Sequence, residues 1–118
     1  MSGYRDLRVW QQALVFARLC YALAARLPAC EETALRDQLR RASSSVSHNI
    51  AEGNACASRA EYRRYLAIAR ASVNEARSQL QLAVALGYVT QDDIEVADDL
   101  ADAISASLWK MRKKLEQD

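Results

Sequence analysis

Eight arginines between positions 36 and 77 are the side chains best suited to binding a ligand. Only four acidic residues lie among them. The eight are Arg36, Arg40, Arg41, Arg59, Arg63, Arg64, Arg70 and Arg77. Because the guanidinium group presents a planar fork of donors to phosphate oxygens, this cluster indicates a nucleic-acid-binding surface. A solvated or ion-paired outer helix face would give the same pattern, so both interpretations stay open.

A second group of polar residues lies just before Gly53. Asn49 and Glu52 are three residues apart, so on a helix their side chains share a face. Arg41 lies about two turns upstream of His48, within reach of a carboxylate from a neighbouring helix. We therefore interpret Arg41, Asn49 and Glu52 as a buried polar network that fixes helix register, rather than as a catalytic group.

The residues that usually perform catalysis or bind metals are sparse. The only histidine, His48, shows no spacing typical of a metal ligand or of a base that activates a nucleophile. The three cysteines, Cys20, Cys30 and Cys56, lack CxxC spacing and are expected to be reduced and structural. We expect no metal, no cofactor and no enzymatic activity.

The composition predicts that long helices hold these groups. The 118 residues are 51% hydrophobic and 26% charged, and three glycines and one proline leave little material for turns. Apolar periodicity and end signals predict four helices: from Tyr4 or Leu7 to Leu27, from Glu32 or Thr33 to Glu52, from the capping box Ser58–Glu61 to Leu86 or Gly87, and from Thr90 to Leu115. Short connections predict an all-α fold, an antiparallel up-down-up-down four-helix bundle, as a single domain over residues 1–118.

Inward stripes can be assigned to these helices, although one helix offers two. The first carries a seam through Leu14 and Tyr21 and another through Phe16 and Cys20. The fourth has the clearest stripe, with a heptad spacing, formed by Ile94, Ala97, Ala101, Ile104, Leu108, Met111 and Leu115. Gly53 is predicted to end the second helix in the left-handed conformation.

Residues 41–53, RASSSVSHNIAEG, match a known signature. Together with YRDLRVW at residues 4–10, EYRRYLAIA at residues 61–69 and LGY at residues 86–88, they make the chain resemble the 23S rRNA-intervening sequence protein family. Ser47 and His48 stand where that family usually has proline and serine. The resemblance implies a bundle that assembles as a ring, commonly a homopentamer. It also implies a relation to the accessory protein of diversity-generating retroelements, which contacts a reverse transcriptase and nucleic acid.

These observations lead to two alternative functions. The first is a non-enzymatic, ring-forming adaptor that binds RNA or DNA through the basic surface of helices 2 and 3, with a polymerase-like protein as a further partner. The second is a protein-interaction module in which that basic hairpin docks on the acidic start of helix 4, at Asp98, Asp99 and Asp102, of another copy. With no apolar signal segment or membrane span in the sequence, we expect a cytoplasmic protein.

Overall fold

A computed structural model describes residues 3–56 and 58–117. Met1, Ser2, Ala57 and Asp118, which the predicted domain includes, lie outside the described residues. The described chain contains four long helices: α1 Arg8–Ala25, α2 Leu35–Ala55, α3 Arg59–Ala85 and α4 Gln91–Glu116. Two short 3-10 helices, Tyr4–Asp6 and Ala29–Glu31, precede α1 and α2, and the described ranges contain no strand. The predicted all-α four-helix bundle is confirmed.

The four helices pack in a closed square, in which α1 contacts α2, α2 contacts α3, α3 contacts α4 and α4 contacts α1. Short connections make consecutive helices antiparallel, and the bundle measures 48 × 23 × 21 Å. The core runs along its whole length. Its largest fully buried side chains include Phe16, Leu39, Ile50, Leu66, Leu80, Ile94, Ile104 and Leu108.

Local side-chain chemistry sets where the two longest helices begin. The Ser58 hydroxyl accepts a hydrogen bond from the Glu61 backbone N–H, which gives one half of the predicted capping box. The Thr90 side chain accepts from the Asp93 backbone N–H while the Asp93 carboxylate accepts from the Thr90 N–H, a complete box. The sequence interpretation missed this second box because Asp, rather than Glu or Gln, occupies the third helical position.

Gly53 does not end α2, and that prediction is wrong. The helix continues to Ala55, and Gly87 is the glycine with a positive φ, at 78°. A Cβ atom at position 53 would lie 2.9 Å from Tyr62 Cδ1 and 2.9 Å from Tyr65 Cβ. Gly53 is therefore the point of close approach between α2 and α3, where the lack of a side chain rather than backbone freedom is what the fold uses.

Only one of the two apolar seams predicted for α1 lies in the core. Phe16 and Cys20 are fully buried, whereas Leu14 and Tyr21 are 44% and 46% exposed. The inward stripe runs through Ala13 rather than Leu14, one position and thus about 100° around the helix. The seam through Leu14 and Tyr21 therefore forms an apolar strip on the outer surface of α1.

Candidate nucleic-acid interface

Arg36 and Arg40 hold the connection between α1 and α2. Arg36 Nε donates a hydrogen bond of 2.9 Å to the Leu27 carbonyl oxygen, and its Nη1 lies 3.0 Å from Glu32 Oε1. Arg40 Nη2 donates to the other carboxylate oxygen of Glu32 at 2.8 Å. The hydrogen bonds from Arg36 and then Arg40 lower the pKa of Glu32. Both arginines are thus engaged within the protomer and offer little to a phosphate.

Arg41 and Arg77 are also paired with carboxylates. Arg41 Nε lies 2.8 Å from Asp37 Oδ2 one turn away, on a side chain that is 80% exposed. Arg77 bridges α3 and α4, with Nε 2.9 Å from Asp98 Oδ1 and Nη1 3.5 Å from Asp102 Oδ1. The hydrogen bond to Asp98 is the main cause of the raised pKa of Arg77. Arg77 therefore acts as an interhelical clamp.

The structure does not bring Arg41, Asn49 and Glu52 together into the predicted buried network. Arg41 lies on the exposed face of α2 beside Asp37, and Glu52 is exposed with an oxygen 4.0 Å from His48 Nε2. Asn49 alone is turned partly inward. Each of the three side chains has its own partner one turn away on α2: Asp37 for Arg41, Ser45 for Asn49 and His48 for Glu52.

A smaller polar cluster takes the place of that network between α2 and α3. Asn49 Nδ2 donates to both the backbone oxygen and the hydroxyl of Ser45, each at 2.8 Å. The Ser45 hydroxyl lies 2.9 Å from that of Ser72 on α3. These bonds satisfy polar groups at a partly buried helix contact and help to set its register. The spacing of Ser45 and Asn49, four residues apart, is the signal that could have revealed the first link.

The other four arginines lie in the first half of α3, and the first of them, Arg59, lies beside the end of α4. Arg59 donates to three backbone carbonyl oxygens there: Lys114 at 3.1 Å, Leu115 at 3.2 Å and Gln117 at 2.6 Å. The last carbonyls of a helix have no partner within the helix and carry its negative dipole end. Arg59 thus caps α4 and compensates that negative end.

The remaining arginines differ in how far they are engaged. Arg64 is half exposed, with Nε 3.5 Å from Glu61 Oε1. Arg70 Nε donates to the Ser105 hydroxyl at 2.9 Å and so joins α3 to α4. Arg63 has a buried Nε without a hydrogen-bond partner in the described structure. Among the ion pairs of the described residues, those of α2 neutralise Arg36, Arg40 and Arg41, whereas of these three arginines of α3 only Arg64 is paired with a carboxylate.

The fold adds the basic end of α4 to these arginines, which sequence proximity did not reveal. Through Arg59, the start of α3 lies against a segment containing Lys110, Arg112, Lys113 and Lys114. We define the cationic half of the bundle as residues 3–16, 46–56, 58–72 and 104–117, which carry ten Arg and Lys against four Asp and Glu. The acidic half, residues 17–45 and 73–103, carries six against ten.

An apolar cavity of about 340 Å³ opens within the cationic half. Its walls are Arg59 and Tyr62 from α3 and Met111, Lys114 and Leu115 from α4. A smaller groove of about 190 Å³ lies between α1 and α4 in the acidic half, closed at one end by the Arg26–Asp93 ion pair at 3.1 Å. The first cavity combines apolar walls with cations at the mouth.

The described residues give no sign of a metal centre or a membrane helix. No group of three or more His, Cys, Asp or Glu side chains within them is placed to hold a metal ion. None of the helices in these ranges is long and apolar enough to cross a bilayer.

Comparisons with known proteins agree on the fold and leave the activity open. The sequence model of a family described as 23S rRNA-intervening sequence protein matches residues 5–110. The chain is similar to a crystal structure of a protein of unknown function from the S23 ribosomal protein family of Bacteroides thetaiotaomicron, with a TM-score of 0.81 and 27% sequence identity. That alignment covers 89% of this chain and 98% of the other. No curated protein matches the chain.

Proposed function

This chain belongs to the 23S rRNA-intervening sequence protein family, and on that premise we propose that it is a non-catalytic module that binds the phosphate backbone of RNA or DNA with its cationic half. The charge polarisation of the bundle carries this proposal. Ten basic residues against four acidic ones lie in one half of a molecule whose net charge is only +1. Such local potential attracts polyanions even when net charge does not.

The proposal centres on the end of α4 and the start of α3, and not on the whole of helices 2 and 3. Arg36, Arg40, Arg41 and Arg77 belong to the acidic half and are paired with carboxylates of their own protomer. The available cations lie elsewhere. Lys110, Lys113 and Lys114 are exposed and lie on α4, beside the start of α3.

Capping by Arg59 supports phosphate binding indirectly. The end of α4 would otherwise present unpaired carbonyl oxygens and a negative dipole terminus beside the lysines. Arg59 occupies three of these oxygens. A phosphate that approaches the lysines therefore meets a surface from which the main source of backbone repulsion has been removed.

A salt series of binding measurements tests this proposal. We expect a fluorescent oligonucleotide to bind with an affinity that falls steeply as salt rises, by about 0.7 to 0.9 in the logarithmic slope for each phosphate contact. Changing Lys110 and Lys114 together to glutamine should lower the affinity and flatten that slope. The matched control changes Arg18 and Arg41, two exposed arginines of the acidic half, to glutamine, and should leave both unchanged.

Two outcomes would refute nucleic-acid binding through this end. One is the absence of binding to single strands, structured RNA or duplex DNA even at low ionic strength. The other is an equal loss of affinity in the control, which would show that binding follows total charge instead of the cationic half.

A protein-interaction module is the second candidate, because large apolar side chains are exposed on or next to three of the helices. They are Leu14, Val15, Tyr21, Ile68, Leu82, Leu86, Val96 and Trp109. Val96, at 68% exposure, borders the groove between α1 and α4. Exposed apolar groups of this kind favour self-association or a protein partner.

The family resemblance implies assembly into a ring, commonly of five copies, for either candidate, and a polymerase-like partner for the nucleic-acid-binding one. Light scattering or native mass measurement tests the self-association. Changing Val96 to Asp should lower the mass if this face is an interface, whereas Asp99 to Lys tests the docking of unlike charges. Asp99 is preferred for charge reversal because Asp98 and Asp102 already pair with Arg77 of the same protomer. An unchanged mass in both variants would count against the candidate.

A further inference from the structure

The apolar cavity of the cationic half exists because α4 extends beyond the start of α1. Leu23 of α1 and Val96 of α4 both line the groove between these helices. The first residue of α1, Arg8, lies about fifteen residues before Leu23, and the same count along antiparallel α4 leads from Val96 to Met111. The final turns of α4 therefore have no α1 beside them. Tyr62 and Met111 pack against the edge of the core, and they line the cavity beyond the start of α1.

The Tyr62 side chain, which forms one wall of the cavity, is held in place by the end of α2. Its ring lies against Gly53, where a Cβ atom would approach Cδ1 to 2.9 Å. Its hydroxyl accepts a hydrogen bond of 3.2 Å from Asn54 Nδ2. The end of α2 thus fixes the position of the aromatic ring that forms one wall of the cavity.

The chemistry of the cavity differs between its floor and its mouth. Tyr62, Met111 and Leu115 supply an aromatic ring and two flexible apolar side chains, and the cavity volume of about 340 Å³ falls in the range of small-molecule sites, about 300–1,000 Å³. Arg59 and Lys114 form part of the cavity wall, and Lys110 lies one turn before Lys114 on the same face of α4. A ligand that fits both parts has a flat apolar body joined to an anionic chain.

We propose that this cavity receives an unpaired base of a single-stranded nucleic acid while the neighbouring lysines contact its phosphates. This inference rests on the proposed function and makes it more specific, because a duplex keeps its bases stacked inside and cannot offer one to the cavity. Stacking of bases on aromatic side chains is tolerant of sequence, so the site selects strandedness rather than a sequence. An acidic peptide with an apolar side chain is the competing occupant.

Two oligonucleotides with the same number of phosphates separate base binding from charge. One is a twelve-nucleotide oligothymidine, and the other has the same backbone with every base removed. We expect the base-bearing strand to bind about fivefold more tightly or better, with a similar salt slope, since stacking adds to phosphate contacts without changing their number. The affinity of a twelve-base-pair duplex, divided by its number of phosphates, should not exceed that of the abasic strand treated in the same way.

A variant that leaves the charge of the protein unchanged tests whether the preference for bases arises in the cavity. Changing Met111 and Leu115 to glutamine keeps helix propensity and size while making the floor polar. The preference for the base-bearing strand should disappear, whereas affinity for the abasic strand should stay the same. Val96 to Gln, an exposed apolar position in the acidic half, is the matched control and should leave both affinities unchanged. Circular dichroism verifies that each variant is folded.

The possible results separate this inference from the proposed function. No binding of any oligonucleotide would overturn both. Binding of all strands with equal affinity, unaffected by the glutamine changes, would overturn the base site and leave phosphate binding in place. A third result would be that a Glu-rich peptide with one phenylalanine binds the parent but not the Met111 and Leu115 variant, while no preference for single strands is seen. This result would assign the cavity to a protein partner and overturn the inference.

Discussion

Replacing Gly53 with alanine should destabilise the protein, although alanine is the better helix former. Inside a helix, the change from glycine to alanine gains about 1 kcal/mol of intrinsic propensity. Here the new Cβ would lie 2.9 Å from both Tyr62 Cδ1 and Tyr65 Cβ. The Tyr65 atom is attached directly to the backbone, so no rotation relieves the contact and α3 must shift. Overpacking of this kind costs about 1–3 kcal/mol, which leaves a net loss of up to about 2 kcal/mol.

Urea denaturation at fixed protein concentration, followed by circular dichroism, measures this loss. The control is Ala71 to Gly, at an exposed position in α3, which measures the propensity term in this protein and should cost about 1 kcal/mol. Adding the two losses of unfolding free energy isolates the steric cost at Gly53, which we expect to be about 1–3 kcal/mol. A sum near zero, with the Gly53 variant more stable than the parent, would refute the close-approach argument.

Three further predictions concern the turns, pH and the cysteines. Gly87 has a φ of 78°, and no atom lies within 4 Å of where a Cβ would stand. Changing it to alanine should lower the free energy of unfolding by about 1–2 kcal/mol, and changing it to asparagine should lower it less. Equal losses in urea denaturation would contradict this. The hydrogen bond from the Thr90 backbone N–H lowers the pKa of Asp93 below its ordinary 3.8. The parent protein should therefore be more stable than the Asp93→Asn variant above about pH 4, and this difference should decline as the pH falls through the pKa of the folded state. A difference in melting temperature that stays constant down to pH 2 would contradict this. Burial raises the pKa of Cys20 to about 12, so iodoacetamide at pH 8 should label exposed Cys30 in the folded protein and Cys20 only after unfolding, as mass spectrometry can verify.

The sequence predicted the helices well where one stripe of apolar residues was available. In α4, the heptad positions from Ile94 to Leu108 are buried as expected, and Met111 and Leu115 pack at the edge of the core. In α1, apolar residues surround most of the helix, so periodicity alone allowed two seams and only packing against α2 and α4 decides between them. Gly53 follows an apolar stripe just as a terminating glycine does, and its real role depends on a contact with α3 that no local pattern encodes.

The candidate site was harder to predict because it depends on which helix ends meet. Grouping by sequence joined Arg36 and Arg77 to Arg59, although the fold places the first two in the acidic half beside carboxylates. The same grouping left out Lys110 and Lys113, some fifty residues beyond the start of α3. The antiparallel order already implies that α4 ends where α3 begins, so topology, rather than composition, was the signal that could have found them.

Two helix ends in this bundle are closed by arginines from other helices. Arg36 of α2 donates to the carbonyl oxygens of Ala25 and Leu27 at the end of α1, and Arg59 of α3 donates to those at the end of α4. A helix end held only by its own residues can fray alone, whereas these two ends must also break hydrogen bonds to a neighbouring helix before they open. The final turns of α1 and α4 should therefore exchange their amide hydrogens more slowly than helix ends without such contacts.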